Sequence, residues 1–283
     1  MSIIVHIGKP GSFSHAAART QYGADHTYIG CKSFEDVFRT VAEGNAEIGV
    51  VPIENSLAGS IYENYDMFDK YSVSIATEQY LKVEHYLLCK KSHATDTERM
   101  REMITVYSHP KALEQCRSFF NNHDWMKPTV AIDTATSAYQ VASSDDMTVA
   151  AIGSLESAHL YRLHVLARNI EDDINNYTRF VYITKKKADN PQANKCSLQF
   201  EVKHEPGSLV RVLQVLGAHK LNLTKIESRP IHGKPFEYQF YMDFEFDPKD
   251  REELDTVIDE LRRNTHTVKI LGIYVAGKIE NIL

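Results

Sequence analysis

Residues that can bind a small anion follow the first predicted strand, Ile3–Ile7. Residues 8–14 (GKPGSFS) join this strand to a helix predicted over residues 14–22, with Ser14 at its start. Such a turn directs backbone N–H groups and the positive end of the helix towards the carboxyl edge of the sheet, which suits an anion. An ordinary tight turn between strand and helix has the same pattern, and the residues alone leave both interpretations open.

A second group of polar residues follows the next predicted strand, residues 48–51, which we expect to end at Pro52. Asn55 and Ser56 offer amide and hydroxyl donors there, at the edge where open α/β sheets bind ligands. Simple helix capping explains the same residues equally well.

The third segment, residues 176–180 (NYTRF), opens the last predicted strand before a polar stretch. Arg179 can hold a carboxylate, the neighbouring Thr178 hydroxyl can offer a proton, and the Phe180 ring can exclude water. Taken singly, an arginine at a strand start is more often part of a surface ion pair. The functional interpretation therefore depends on the other two segments.

Composition excludes several classes of protein. The chain has 283 residues, 43% of them hydrophobic, and a formal net charge of −6, whereas nucleic acids and anionic membranes favour excess Lys and Arg. No apolar run reaches about 18 residues, and a strand at residue 3 leaves no room for a signal peptide, so we expect a cytoplasmic protein. The thirteen histidines are scattered, and the sequence contains no HExxH, CxxC, Walker A or GxGxxG motif, so we expect no metal. We interpret the cysteines as packed thiols: Cys31, Cys89, Cys116 and Cys196.

The chain divides at a polar stretch. Residues 1–184 alternate short strands with amphipathic helices, which favours an α/β fold with parallel sheets covered by helices on both faces. One such helix is predicted after the capping box at residues 33–36 and ends at Gly44. Residues 185–195 (KKKADNPQANK) are typical of a linker. Residues 196–276 are then predicted to form strands and helices in the ferredoxin-like βαββαβ order.

Together these segments resemble prephenate dehydratase followed by an ACT regulatory domain. The resemblance extends over nearly the whole chain, and its motifs occur in the family's order. They are residues 11–17, 52–59, 108–116, 134–135 and 178–180 in the first part, and residues 207–210 and 227–230 in the second.

The resemblance implies a fold like that of periplasmic binding proteins, with two α/β lobes and the site between them. Lobe one would comprise residues 1–79 and 165–184, and lobe two residues 80–164. A linker (185–195) and an ACT domain (196–276) would follow. Because the sequence begins directly at the dehydratase lobe, we expect no fused chorismate mutase.

The implied reaction converts prephenate to phenylpyruvate with loss of carbon dioxide and the ring hydroxyl, without a cofactor. Thr178 would be the catalytic hydroxyl that hydrogen-bonds or protonates the leaving oxygen. The resemblance also implies a set of substrate-binding residues, with Arg179 on a carboxylate and Phe180 packed behind the polar groups: Ser14, Asn55, Ser56, Thr134, Arg179 and Phe180.

For the second part, the resemblance implies an L-phenylalanine site at a subunit interface, feedback inhibition, and a homodimer or homotetramer. A helix start at residues 207–210 would receive the amino acid's carboxylate. Without the resemblance, Gly207 would indicate only a turn and residues 228–230 only the end of a strand. The implied regulatory residues are Gly207, Ser208, Leu209, Val210, Asn222, Leu223, Glu227, Ser228, Arg229 and Pro230.

Two alternatives remain open. Residues 60–66 (SIYENYD) look closer to arogenate dehydratases, whose substrate carries an ammonium in place of the keto group and whose product is phenylalanine. A non-catalytic amino-acid sensor or solute-binding protein would also use binding folds in both parts. Thr178 and the expected lack of an export signal argue against this second alternative.

Overall fold

The computed structural model describes residues 1–187, 189–231 and 233–279. Within these residues the strands form three sheets, two in the first part of the chain and one in the last. Strands and helices are numbered along the chain.

The first sheet belongs to lobe one and has the order β2-β1-β3-β11-β5, with the short β4 paired to β3. Strands β1 to β3 run parallel, whereas β11 runs antiparallel to both β3 and β5. The strands are β1 (Ile3–Ile7), β2 (Thr27–Cys31), β3 (Ile48–Asn55), β4 (Gly59–Ser60), β5 (Ser74–Lys82) and β11 (Tyr177–Thr184). The helices are α1 (Phe13–Tyr22), α2 (Phe34–Glu43) and α3 (Tyr62–Lys70).

The second sheet belongs to lobe two and has the order β10-β6-β9-β7-β8. Its strands are β6 (Tyr86–Cys89), β7 (Thr105–Ser108), β8 (Lys127–Val130), β9 (Val149–Gly153) and β10 (His164–Ala167). Its helices are α4 (Asp96–Glu102), α5 (Pro110–Glu114), α6 (Arg117–Asn121), α7 (Thr134–Ser143) and α8 (Leu155–Leu160).

The third sheet is antiparallel, with the order β13-β14-β12-β15, and carries two helices in a βαββαβ sequence. Its elements are β12 (Lys195–Glu201), α9 (Ser208–Ala218), β13 (Asn222–Pro230), β14 (Tyr238–Glu245), a 3₁₀ turn (Pro248–Asp250), α10 (Glu253–Arg263) and β15 (Thr267–Tyr274). The predicted fold class, a two-lobed α/β unit followed by a ferredoxin-like domain, is confirmed.

Local sequence explains why α2 forms where it does. The Ser33 hydroxyl accepts the Asp36 N–H at 3.1 Å, which satisfies one of the free N–H groups of the first turn. Val37, Phe38 and Val41 lie on one face and are fully buried against the first sheet. Gly44 ends the helix in the left-handed conformation, at φ 84°, and its N–H donates to the Thr40 and Val41 carbonyls.

The structure corrects the predicted parallel sheets and some element bounds. Both lobe sheets are mixed, because β11 and β6 run antiparallel to their neighbours. Strand β5 runs to Lys82 and β10 pairs with β6, so the chain enters lobe two at residues 83–85 and leaves it at residues 168–176. The expected bounds at residues 80 and 164 are therefore displaced by a few residues.

Two further bounds differ from the sequence prediction. Pro52 does not end β3; it pairs with Phe180 at a bulge, where a residue without an N–H is tolerated. The predicted linker ends one residue earlier than expected, since Lys195 begins β12 and is buried. Ala188, inside that linker, lies outside the described residues.

The four cysteines match the packing interpretation. Cys89, Cys116 and Cys196 are buried, Cys31 is half-buried, and all four are free thiols. Burial raises the pKa of Cys116 and Cys196. Among the helices of the described residues, none has the length and apolar character needed to cross a bilayer.

Candidate active site

Thr178 and Asn55 meet at the edge of the first sheet that faces lobe two. They are paired across β11 and β3, and the Asn55 amide Nδ2 lies 3.0 Å from the Thr178 Oγ1. The amide group can only donate from its nitrogen, so Thr178 is the acceptor. No acceptor for the Thr178 hydroxyl proton is found among the described residues, and the residue is 9% exposed. This hydroxyl is therefore held in place with its own proton free.

Asn176 is a member of this cluster that sequence reasoning missed. Its Oδ1 accepts from Asn55 Nδ2 at 2.7 Å, while its own Nδ2 is buried and has no hydrogen-bond partner among the described residues. Asn176 is two residues before Thr178, the spacing that places side chains on one face of an extended segment. This spacing of two residues was the sequence feature that could have indicated that Asn176 lies beside Thr178.

Ser56 has a different environment from the one expected. Its hydroxyl donates to the Asn175 carbonyl and accepts the Tyr177 N–H, both at 2.9 Å. Asn55 Oδ1 likewise accepts the Leu57 and Ala58 N–H groups. These internal partners make Ser56 and Asn55 organisers of the β3–β11 junction, rather than open donors.

The turn at residues 8–14 contacts lobe two directly. Ser154 and Ser157 at the start of α8 donate to the Gly11 carbonyl at 2.7 and 2.8 Å, and Tyr161 OH donates to the Pro10 carbonyl at 2.6 Å. Lys9 lies over the Tyr139 ring of α7 at 4.4 Å. The turn thus joins the two lobes beside the proposed cleft.

Only part of this turn can receive an anion. The Gly11 N–H donates to His15 Nδ1 and the Ser12 N–H to the Lys9 carbonyl. The remaining candidates are the N–H groups of Lys9 and, in the first turn of α1, of Phe13 and Ser14. Ser14 is buried, at 5% exposure.

Thr134 occupies the corresponding position in lobe two, at the first residue of α7. Asp133 caps this helix by accepting the Thr136 N–H at 2.6 Å, so Thr134 is not needed as a cap. A Cβ on Gly153 would lie 3.6 Å from the Thr134 carbonyl and 3.7 Å from Ser157 Cβ, which places this helix start next to the contact with Gly11.

Two histidines beneath the turn are neutral near pH 7. The rings of His6 and His15 lie 5.0 Å apart. Burial lowers the pKa of each to about 4, and nearby Arg19 adds to the effect on His15. Neutral His15 is required here because its Nδ1 must accept the Gly11 N–H.

His85 lies where the chain crosses between lobes. Val83 N–H donates to the Asn176 carbonyl at 2.8 Å, and His85 Nε2 lies 2.9 Å from Gln115 Oε1 of lobe two. Phe13 packs edge-on against His85 at 5.7 Å. Burial lowers the pKa of His85, so it supplies a neutral link between the turn, the crossing and lobe two. Nothing in its local sequence indicated this role.

Arg179 is not placed where the sequence interpretation expected it. Successive strand residues point to opposite faces, and Arg179 points away from Thr178, into the contact with the third domain. Its Nε lies 2.7 Å from Glu78, its Nη1 2.5 Å from Asp243 and its Nη2 3.0 Å from the Tyr274 OH. With 3% of its side chain exposed, Arg179 has no free face for a substrate carboxylate.

Phe180 returns to the face of Thr178 but lies deeper in the sheet. It is 1% exposed and packs with Ile4, Ala17 and Val50 beneath α1. Packing behind the polar groups agrees with the expectation, whereas direct contact with a substrate does not.

The predicted regulatory residues fall into two groups. Gly207 to Val210 line an open pocket of about 430 Å³ together with Tyr238 and Phe240 of β14. Gly207 caps α9 in the left-handed conformation, at φ 82°. Asn222, Ser228 and Pro230 are exposed on β13, and Ser228 and Pro230 pair with Phe240 and Tyr238. Leu223 packs into the third domain's core.

Glu227 and Arg229 point the other way along β13, towards lobe one. The Ser60 hydroxyl donates to Glu227 at 2.9 Å, and Arg229 pairs with Asp66 at 3.0 Å and lies over the Tyr62 ring. They bridge the two parts of the chain.

Comparison with known proteins identifies the family of this chain and its two domains. The family model for prephenate dehydratase matches residues 4–188, and the ACT domain model matches residues 197–263. The prephenate dehydratase of Methanocaldococcus jannaschii is 37% identical over 278 residues, covering 96% of this chain and 97% of that protein. The chain belongs to the prephenate dehydratase family.

Two solved structures resemble the whole chain. One is prephenate dehydratase from Arthrobacter aurescens in complex with L-Phe, with a TM-score of 0.84 and 26% identity, covering 96% of this chain and 89% of that one. The other is GqqA, described as a novel type of quorum quenching acylase, with a TM-score of 0.85 and 31% identity, covering 97% and 98%.

Proposed function

We propose that this protein converts prephenate to phenylpyruvate, releasing carbon dioxide and water, and that L-phenylalanine inhibits it. The observation that carries the proposal is the Thr178 hydroxyl, which accepts a hydrogen bond from Asn55 and keeps its own proton free. The reaction requires a donor of this kind, because the ring hydroxyl leaves as hydroxide equivalent and must be protonated or hydrogen-bonded.

The geometry supports different roles for the Thr178 hydroxyl and the Asn55 amide. When the ring carboxylate leaves as carbon dioxide, its bonding electrons enter the ring and expel the C–O electron pair. Thr178 donates to the departing oxygen, and the Asn55 amide fixes its orientation. A positioned donor typically contributes about 10²–10⁴-fold in rate, and orientation of the substrate adds to this.

The substrate carboxylates are assigned to neutral donors. With Arg179 facing the third domain, the candidates are the first turns of α1 and α7, which bring Ser14 and Thr134 to the interlobe contact from opposite lobes. Lys9, above the Tyr139 ring, adds positive charge at the same rim. Helix starts favour anions without an ion pair.

Phenylalanine regulation is assigned to the pocket at residues 202–210 and to the exposed face of β13. A homodimer or homotetramer, in which this open edge strand meets a second copy, remains a prediction, as does a cytoplasmic location. Light scattering of the purified protein checks the assembly.

A product assay tests the proposed activity. The protein is incubated separately with prephenate and with arogenate, and phenylpyruvate and phenylalanine are quantified. We expect a higher kcat/KM with prephenate. A higher value with arogenate would assign the alternative activity, and turnover of neither would overturn the proposal.

A further inference from the structure

We propose that Glu54 and Arg179 are positioning residues that transmit the state of the third domain to Asn55 and Thr178. They do so through an interdomain ionic cluster, defined as Glu54, Glu78, Arg179, Lys225 and Asp243. This inference rests on the proposed function and names the route by which regulation reaches the site.

The route begins with the strand register. Thr178 pairs with Asn55, and the next residue pair is Arg179 with Glu54. Since successive strand residues face opposite sides, one pair faces the cleft and the other faces the third domain. The two residues in the cleft are therefore covalently next to the two that the third domain holds.

Arg179 is held by two strands of the third domain. Its Nη1 pairs with Asp243 of β14 at 2.5 Å, and its Nη2 donates to the Tyr274 OH of β15 at 3.0 Å. Ser197 of β12 completes the arrangement by donating to Asp243 at 2.5 Å. Glu78 of lobe one holds the Arg179 Nε at 2.7 Å and Lys195 of β12 at 2.9 Å.

Glu54 is held by another strand of the third domain, β13. Lys225 of β13 lies 3.0 Å from Glu54 Oε1 and 2.9 Å from the Ser60 hydroxyl. The same hydroxyl donates to Glu227, a residue of the predicted phenylalanine site, and Ser60 is paired with Glu54 across β4 and β3. Glu54 Oε2 also lies 3.7 Å from Arg179, which closes the cluster.

Burial makes this cluster responsive to the third domain. The side chains of Arg179, Glu78, Lys225 and Asp243 are all between 0% and 9% exposed. A buried charge that loses its partner has no water to replace it, so a shift of β14 must move Arg179 with it. The side chain of Glu54 is 37% exposed, and β13 reaches it through the buried Lys225. Burial opposes the charge of Arg179, but Asp243 and Glu78 outweigh that effect and raise its pKa above the ordinary value.

Two substitutions in the third domain test the route without altering the cleft. Asp243→Asn removes the charge facing Arg179, and Lys225→Met removes the contact with Glu54. Neither residue belongs to the predicted phenylalanine site. The matched control is Asp69→Asn, since Asp69 accepts from Gln239 at 2.9 Å across the same interdomain contact but lies on α3, away from β11.

We measure activity against phenylalanine concentration, and phenylalanine binding by calorimetry. Allosteric coupling typically amounts to roughly 5–150-fold. We expect the inhibition midpoint of Asp243→Asn and Lys225→Met to rise at least about tenfold, with phenylalanine affinity changed less than about threefold and kcat largely retained. Asp69→Asn should be inhibited like the wild type, even if its unfolding midpoint falls.

Wild-type inhibition in both variants would overturn the proposal, as would equal loss of inhibition in Asp69→Asn or loss of phenylalanine binding itself. Hydrogen exchange distinguishes failure of this regulatory route from failure of the proposed reaction. Phenylalanine should change the exchange of residues 174–180 in the wild type and Asp69→Asn, and not in Asp243→Asn. Absence of prephenate turnover with this exchange pattern intact would contradict only the reaction.

Discussion

At the scale of single residues, the neighbours Thr178 and Arg179 have opposite environments. Thr178 lies with Asn55 and Asn176 at the edge facing lobe two, whereas Arg179 is surrounded by Glu78, Asp243 and Tyr274. The hydroxyl and the guanidinium therefore cannot act on one substrate together. Arg179 is better understood as a residue that holds β11 in position.

Thr178→Ala tests the catalytic assignment. We expect kcat to fall by about 10²–10⁴-fold, the usual contribution of a positioned proton donor, while the fold is retained because only a small side chain is lost. Thr178→Ser keeps the hydroxyl and should recover much of the rate. Thr184→Ala, at the other end of β11, is the control. Near-normal turnover of Thr178→Ala would exclude Thr178 from the reaction.

At the scale of elements, the turn after β1 determines how the lobes meet. Gly11 has φ 93°, and a Cβ there would lie 2.6 Å from the Ser157 Oγ of α8. Its carbonyl accepts from both Ser154 and Ser157. A glycine is required at this position by the backbone conformation and by the close approach of lobe two.

Gly11→Ala should disturb the contact between the lobes. Gly23→Ala is the matched control, because Gly23 also has a positive φ, 79°, but a Cβ there meets nothing within 4 Å. Backbone strain of about 1–3 kcal/mol is common to both. We expect Gly11→Ala to have the lower unfolding midpoint and, unlike the control, a reduced kcat. Equal effects of the two substitutions would show that the contact with Ser157 is unimportant.

At the scale of the whole molecule, the third domain is not an independent appendage. Tyr241, Leu271 and Tyr274 are 1%, 2% and 0% exposed and belong to the same apolar cluster as Val73 and Ile75 of lobe one. The linker predicted at residues 185–195 had suggested that residues 1–184 form a separable unit. Removing the third domain would instead expose this apolar surface, so that fragment should be less stable than the full chain.

Leu271→Ala in the full chain tests this shared core. Truncating a buried leucine typically costs about 2–5 kcal/mol. Hydrogen exchange should become faster in β5 of lobe one as well as in β15. Leu261→Ala is the control, because Leu261 is equally buried but packs only within the third domain's cluster. If both variants affect lobe one to the same extent, the two parts do not share a core as described.

The sequence by itself determined several of the local elements and the family. Ser33, the apolar face of α2 and Gly44 fixed one helix within a residue of its ends, because capping and helical periodicity are local effects. Residues 178–180 and 207–210 were assigned to a strand start and a helix start for the same reason. The sequence analysis assigned Thr178 and Arg179 to one substrate site. Neighbouring side chains of a strand point to opposite faces, and the sequence did not indicate which face meets the cleft.

Only the tertiary structure decided that question. The partners of Arg179 come from β5 and β14, 101 and 64 residues away in the chain, and no local pattern predicts which distant carboxylates will converge on a buried guanidinium. Strand β5 was missed because its pairing partner β11 lies far along the chain. Lys195 was assigned to a linker because its contact with Glu78 forms only when the third domain packs against lobe one. As a result of that packing, one face of β11 forms the interdomain contact, and the opposite face remains for the proposed substrate site.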